Sequence, residues 1–245
     1  MAGGKWIDGL APTTPVRSAA RAVLGQRFER VAKYLRRVGQ AGVPGPENVH
    51  QLRVATRRAA AALSVFKASL PRKYRRGARK LLREIRRTAS AARDWDVFAA
   101  RFAPPGDGPG AAAGGARDAL LGYALARRAD AQAALDELAR RCGGEWEAVC
   151  AGLPEAVQSP REGPVDLADH ARDVLAPLFE SLCEAAERPP ASFEGMHAVR
   201  ILGKKLRYAM EIFADCHAPP FRERLYPAVE AMQETLGALN DSLTG

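Results

Sequence analysis

The stretch His50-Gln51-Leu52-Arg53-Val54-Ala55-Thr56-Arg57-Arg58 returns 147 residues later as His197-Ala198-Val199-Arg200-Ile201-Leu202-Gly203-Lys204-Lys205. At the same offset, without a gap, Phe66 falls on Phe213, Arg75 on Arg222 and Asp94 on Asp241. The preceding segments also correspond. Arg21-Ala22-Val23-Leu24 resembles Arg172-Asp173-Val174-Leu175, with four residues' difference in the connecting loop. A period this long points to duplication of a three- or four-helix unit rather than to a solenoid.

Both copies read as amphipathic helices. At about 100° per residue, Arg53 and Arg57 lie within about 60° of His50, and Leu52, Ala55, Ala59, Leu63 and Phe66 take the opposite side. The second copy sets His197, Arg200, Lys204 and Arg207 against Val199, Leu202, Leu206, Met210 and Phe213. The segment after the first copy carries Arg72, Arg75, Arg76, Arg79, Lys80, Arg83, Arg86 and Arg87 on one broad face, with Tyr74, Ala78, Leu81, Ile85 and Ala92 on the other.

The rest of the chain is equally helical in pattern. Ala and Leu dominate, and no stretch of strand length alternates with period two, so the fold class is all-α. The spacing predicts helices over 16–38, 47–70, 73–102, 116–142, 145–152, 167–187, 194–214 and 221–243. Gly42–Pro46 is a connecting loop, and Ala103–Gly115, rich in Gly, Pro and Ala, is a flexible one. Pro154, Pro160, Gly163 and Pro164 mark a linker. The expected organisation is a tail at 1–15, a first helical bundle at 16–153, a linker at 154–164 and a second bundle at 165–245.

The 245 residues include 37 Lys plus Arg and 28 Asp plus Glu, a net charge of +9, but the charge is unevenly placed. Residues 50–101 hold 15 basic and 3 acidic side chains, and residues 102–196 hold 8 and 16. A basic stripe is ordinarily a solvated face, yet a surface built for solubility mixes signs. Here nine basic residues fall between 72 and 87, with Glu84 the sole local counter-charge. That is a face for a polyanion. The acidic section either faces away from such a ligand or partly neutralises its groove.

Several function classes are excluded. No apolar run approaches the ~20 residues of a membrane span, and no secretory h-region is visible. The four cysteines show no CxxC spacing, so a cytoplasmic protein with reduced thiols is expected. Walker, HExxH, GxSxG and GxGxxG patterns are missing, and the histidines lack metal-ligand spacing. The expectation is a non-catalytic protein without cofactor or metal.

The pattern His50-x-x-Arg53-x-x-x-Arg57-Arg58, then Arg93-Asp94-x-Asp96-Val97, then Met196-His197-x-x-Arg200-x-x-x-Lys204-Lys205-Leu206-Arg207-Tyr208 and Asn240-Asp241 resembles the conserved histidine α-helical domain, or CHAD, family. The resemblance covers about residues 16–245. It implies two helical bundles related by a pseudo-twofold axis, a basic central channel or groove that binds inorganic polyphosphate, and association with polyphosphate granules. Further helix normally follows the Asn-Asp block in the family, whereas four residues follow Asp241 here, so the expectation is either a second bundle short of its last helix or a truncated chain. The fused triphosphate-hydrolysing barrel common in the family is not expected, because Glu145-Trp146-Glu147-Ala148-Val149 lacks the Lys of its Glu-x-Glu-x-Lys signature. Gly203, standing where the first copy has Thr56, either weakens its helix or permits close packing.

Polyphosphate carries a negative charge on every phosphate and has no bases to read, so its recognition is multidentate electrostatics by Arg forks and Lys point charges. The expected ligands are Arg53, Arg57, Arg58, Arg200, Lys204, Lys205 and Arg207, with Arg79, Arg83, Arg86 and Arg87 extending the track. His50 and His197 either donate to phosphate, orient a neighbouring Arg, or serve as helix-start residues satisfied by hydrogen bonds. Asp94 and Asp241 are placed to clamp basic side chains. Nucleic acid and acidic protein partners are the rival readings; base readout needs aromatics among the charges, and the basic segment offers only Tyr74 and Trp95.

Overall fold

The computed structural model describes residues 4–40, 45–102, 115–160, 163–188 and 192–244, with side chains as far as residue 238. Among the described residues the chain is helical and has no strand. The elements are α1 (Val16–Val38), α2 (Pro46–Val65), α3 (Arg72–Phe102), α4 (Gly115–Ala151), α5 (Leu153–Ala156), α6 (Leu167–Glu187), α7 (Phe193–Phe213) and α8 (Tyr226–Thr244). A π-helical turn, Phe221–Leu225, leads into α8. The expected loops at 42–46 and 103–115 lie mostly outside the described residues, as do residues 161 and 162 of the expected linker and the side chain of Asp241.

Two helix boundaries differ from expectation, each for a packing reason. α2 stops at Val65 rather than near Leu70, and a 3₁₀ turn, Lys67–Ser69, follows. α7 does the same, with Ala214–Cys216 as its 3₁₀ turn. Phe66 (φ −95°, ψ 33°) and Phe213 (φ −97°, ψ 11°) sit at the matched exits, and Leu70 and His217 are extended beyond them. The 147-residue repeat is therefore present in the backbone at this corner. Both phenyl rings are fully buried and flank His170 of α6, with ring centroids 5.4 and 5.9 Å away.

The second difference is in α4, which runs through Gly143-Gly144 where a break was expected. Each glycine costs about 1 kcal/mol in a helix. Trp146 offsets this: its ring is fully buried, edge-on to Phe28 at 5.0 Å, and its Nε1 donates to the Phe28 carbonyl at 3.1 Å. Burying such a ring stabilises by roughly 2–3 kcal/mol, and Cys142 one turn earlier is also fully buried.

The chain forms two compact units, one of residues 1–24, 61–71 and 154–245, the other of residues 25–60 and 72–153. These cut across the sequential boundaries at 153 and 165, because the two ends of α1 and of α2 are shared out. Val16, Ala20, Val23 and Leu24 of α1 are buried in the first unit, and Phe28, Val31 and Leu35 in the second.

Within the first unit the expected tail is a packed strap. Ile7 and Leu10 are buried, Ile7 N donates to the Glu211 carbonyl at 3.3 Å, and Gly9 N donates to Asp215 Oδ2 at 3.0 Å. The linker is also tied down: Val157 is buried and Gln158 N donates to the Ser69 carbonyl at 2.9 Å. In the seam between α7 and α8, a Cβ on Gly203 would stand 2.7 Å from Met232 Cε and overlap the Gln233 amide. Gly203 thus permits close packing.

Candidate functional site

The expected ligands that fall in the second unit come from α2 and α3. α2 buries Leu52, Ala55, Ala59 and Leu63, which leaves His50, Arg53 and Arg57 half-buried along the other side. α3 buries Ala78, Leu81, Leu82, Ile85, Ala89 and Ala92, so its arginines line the outer side; Arg83, Arg86 and Arg87 are exposed and Arg79 is half-buried. Arg53 Nη1 lies 3.6 Å from Asp94 Oδ1, which makes Asp94 the clamp its spacing implied.

Charge is crowded here. Burial holds the Arg53 guanidinium below its ordinary pKa, Arg57, Arg93 and Arg86 lower it further, and Asp94 opposes them. Burial likewise lowers the His50 imidazole; Glu47 opposes, and Arg93, Arg57 and Arg53 reinforce the shift. Further along α3, burial and then Arg75 and Arg83 lower Arg79. The basic run's one local carboxylate, Glu84, ion-pairs with Arg141 of α4 at 2.5 Å. His50, Arg53, Arg57, Arg86 and Arg93 therefore form one cluster, and Arg75, Arg79 and Arg83 a second. Arg58 lies off this stripe on α2, half-buried.

The first unit carries the other stripe, on α7. His197 is exposed with its ring 6.4 Å from Phe193, Arg200 and Lys204 are half-buried, and Lys205 is exposed at the edge of a cavity of about 580 Å³ that also meets Lys67, Val65 and Leu178. Arg207 is turned to a carboxylate: its Nη1 lies 3.2 Å from Glu230 Oε1, and Glu230 also takes Lys5 at 3.2 Å. The Tyr226 hydroxyl donates to Glu211 at 3.1 Å beside them. Arg207 belongs to an internal ion-pair network.

Among the described residues, no group of three or more His, Cys, Asp or Glu could hold a metal ion, and no helix is long and apolar enough to cross a membrane. The CHAD domain profile matches residues 22–244. The chain belongs to the CHAD family. Among solved structures it is similar to the CHAD domain from the plant Ricinus communis, with a TM-score of 0.73 and 27% identity over 97% of this chain and 79% of that one. It is also similar in fold to PptA from Streptomyces chartreusis, with a TM-score of 0.59 and 19% identity over 89% of this chain and 81% of that one. No curated protein matches it.

In this CHAD domain two arginines that join these clusters, Arg93 and Arg75, stand outside the ligands expected from the sequence. Arg93 was read only as the neighbour of Asp94, and Arg75 only as part of a broad face. For Arg93 the signal is a seven-residue spacing, since Arg72, Arg79, Arg86 and Arg93 recur on one side of α3; Arg75 lies outside that series.

Proposed function

We propose that this CHAD domain binds inorganic polyphosphate without transforming it. The observation that carries the reading is the α2–α3 cluster, where Arg53, Arg57 and Arg93 crowd His50 against Glu47, and Arg57, Arg86 and Arg93 crowd Arg53 against Asp94. Cations arranged this way repel until a multivalent anion enters, and each guanidinium then presents a planar fork to phosphate oxygens. Arg79 and Arg83 continue the track along α3, and Arg200, Lys204 and Lys205 supply a second set on α7. The domain's role is retention of the polymer, with placement at polyphosphate granules as its consequence.

A second reading, single-stranded nucleic acid, has one observation in its favour. Tyr123 is exposed beside Trp95, at a centroid distance of 5.8 Å, and Arg127 lies 5.8 Å from the Trp95 ring. Stacking on bases uses open aromatic faces; these two rings pack edge to face on each other, which favours polyphosphate.

The test is titration of the whole chain with long-chain polyphosphate at rising salt. Affinity is expected to fall by on the order of a hundredfold or more between about 50 and 200 mM salt, because many counterions are released. The variant carrying Arg53→Ala, Arg57→Ala, Lys204→Ala and Lys205→Ala is expected to stay folded and lose binding. A flat salt response or unchanged binding by the variant contradicts the reading.

A further inference from the structure

The two copies differ where α3 and α8 correspond. At the 147-residue offset, Arg79, Arg83, Arg86 and Arg87 of α3 are answered by Tyr226, Glu230, Gln233 and Glu234 of α8. Tyr226 and Glu230 are engaged with each other, with Glu211 and with Arg207. Gln233, the counterpart of Arg86, is not engaged. It is only 8% exposed, and neither its amide nitrogen nor its amide oxygen has a hydrogen-bond partner. Its amide occupies the notch left by the missing side chain of Gly203.

Arg200, the counterpart of Arg53, crosses the same seam in the other direction. Its Nη2 lies 4.0 Å from where a Cβ of Gly237 would stand, and its Nε is likewise unpartnered. The seam thus holds a guanidinium and a carboxamide, each lying over a glycine of the opposite helix. An unmatched buried donor or acceptor forfeits the hydrogen bonds it would make to water. A ligand that satisfies both groups recovers that loss, and the amide can leave a glycine notch by side-chain torsion alone.

Chemistry distinguishes this pair from its first-copy counterpart. Arginine only donates hydrogen bonds, whereas a carboxamide donates through nitrogen and accepts through oxygen. Interior phosphates of a linear chain are fully ionised and offer acceptors only. A terminal phosphate has a second ionisation with a pKa of about 6, so near neutrality it presents ionised oxygens together with a fraction of P–OH. Resting on the polyphosphate reading, we infer that the α7–α8 seam recognises the end of a linear phosphate chain, Arg200 and the Gln233 nitrogen donating to ionised oxygens and the Gln233 oxygen accepting the terminal hydroxyl proton. The α2–α3 arginines, all donors, take interior phosphates.

The experiment compares linear tripolyphosphate, which has two ends, with cyclic trimetaphosphate, which has none, on the full chain and on Gln233→Met. The variant is expected to lose about tenfold in affinity for the linear ligand, the worth of hydrogen bonds to a charged group, and less than about twofold for the ring. Its melting temperature should not fall, since an apolar side chain replaces an unmatched amide; should it fall, Gln233→Leu repeats the comparison. Equal losses for the two ligands, no loss for either, or wild-type binding of long chains without measurable binding of tripolyphosphate overturns the inference and leaves the polyphosphate reading standing. A wild-type chain that binds no long-chain polyphosphate overturns that reading itself.

Discussion

The Arg53 guanidinium lies 3.6 Å from the Asp94 carboxylate, which joins the stripe of α2 to the far part of the α3 basic face. One carboxylate holds Arg53 in place while Arg57, Arg86 and Arg93 surround it with like charge. Arg53→Ala and Arg57→Ala should each weaken polyphosphate binding by about tenfold, as loss of a charge-assisted contact does. Arg58→Ala, off the stripe, should cost less than about threefold. Fluorescence anisotropy with labelled polyphosphate checks the ranking.

Binding should take up protons. Burial, with Arg93, Arg57 and Arg53, keeps His50 below its ordinary value of 6.5 in the free protein, against the pull of Glu47. A bound polyanion favours the imidazolium and raises that pKa. Affinity should therefore rise as the pH falls through the region of 6.5, and His50→Gln should remove this part of the dependence. Calorimetry in buffers of different ionisation enthalpy measures the proton uptake directly.

Gly203→Ala tests the α7–α8 seam. Alanine gains about 1 kcal/mol in helix propensity, but its Cβ would stand 2.7 Å from Met232 Cε and overlap the Gln233 amide. Overpacking of this kind costs about 1–3 kcal/mol. Both neighbours are far ends of flexible side chains that can turn aside, so the two effects should nearly cancel and the melting temperature should move by no more than about two degrees; a fall of several degrees would show that the seam cannot yield.

Arg207 sits in the α7 stripe by spacing but pairs with Glu230, which Lys5 shares. Arg207→Ala should lower stability by about 1–2 kcal/mol, in the range for a partly buried charged hydrogen bond, while changing polyphosphate affinity less than about threefold. Denaturant titration and binding measured on the same variant separate the two effects.

His170 should make stability pH-dependent. Burial between Phe66 and Phe213 lowers its pKa, against the Val65 carbonyl and Asp173. The unfolded chain protonates near 6.5, while the folded chain keeps the ring neutral to lower pH. Its stabilising contribution is full above 6.5 and is lost as the pH falls below that value towards the folded pKa. Melting curves from pH 8 to 5 should show this slope, and His170→Phe should flatten it.

Much of the fold was legible because the repeat puts one pattern in view twice. The spacing of Leu52, Ala55, Ala59 and Leu63 fixed the buried face of α2 and hence its basic face. What periodicity could not supply was tertiary packing: Trp146 carries α4 through two glycines, Phe66 ends α2 early, and residues 5–10 bind as a strap. The same limit applies at the site. Arg207 has the right angular position on its helix, yet only the fold places Glu230 beside it, and only the approach of α8 at Gly203 leaves Gln233 buried without a partner.

The most direct test of polyphosphate as the ligand is competition at equal total phosphate. Long-chain polyphosphate and single-stranded DNA are titrated separately against the full chain carrying a labelled DNA oligonucleotide, at about 150 mM salt. Polyphosphate displacing the probe at a phosphate concentration at least about tenfold lower than DNA is the predicted result. DNA displacing it at equal or lower phosphate concentration contradicts the account.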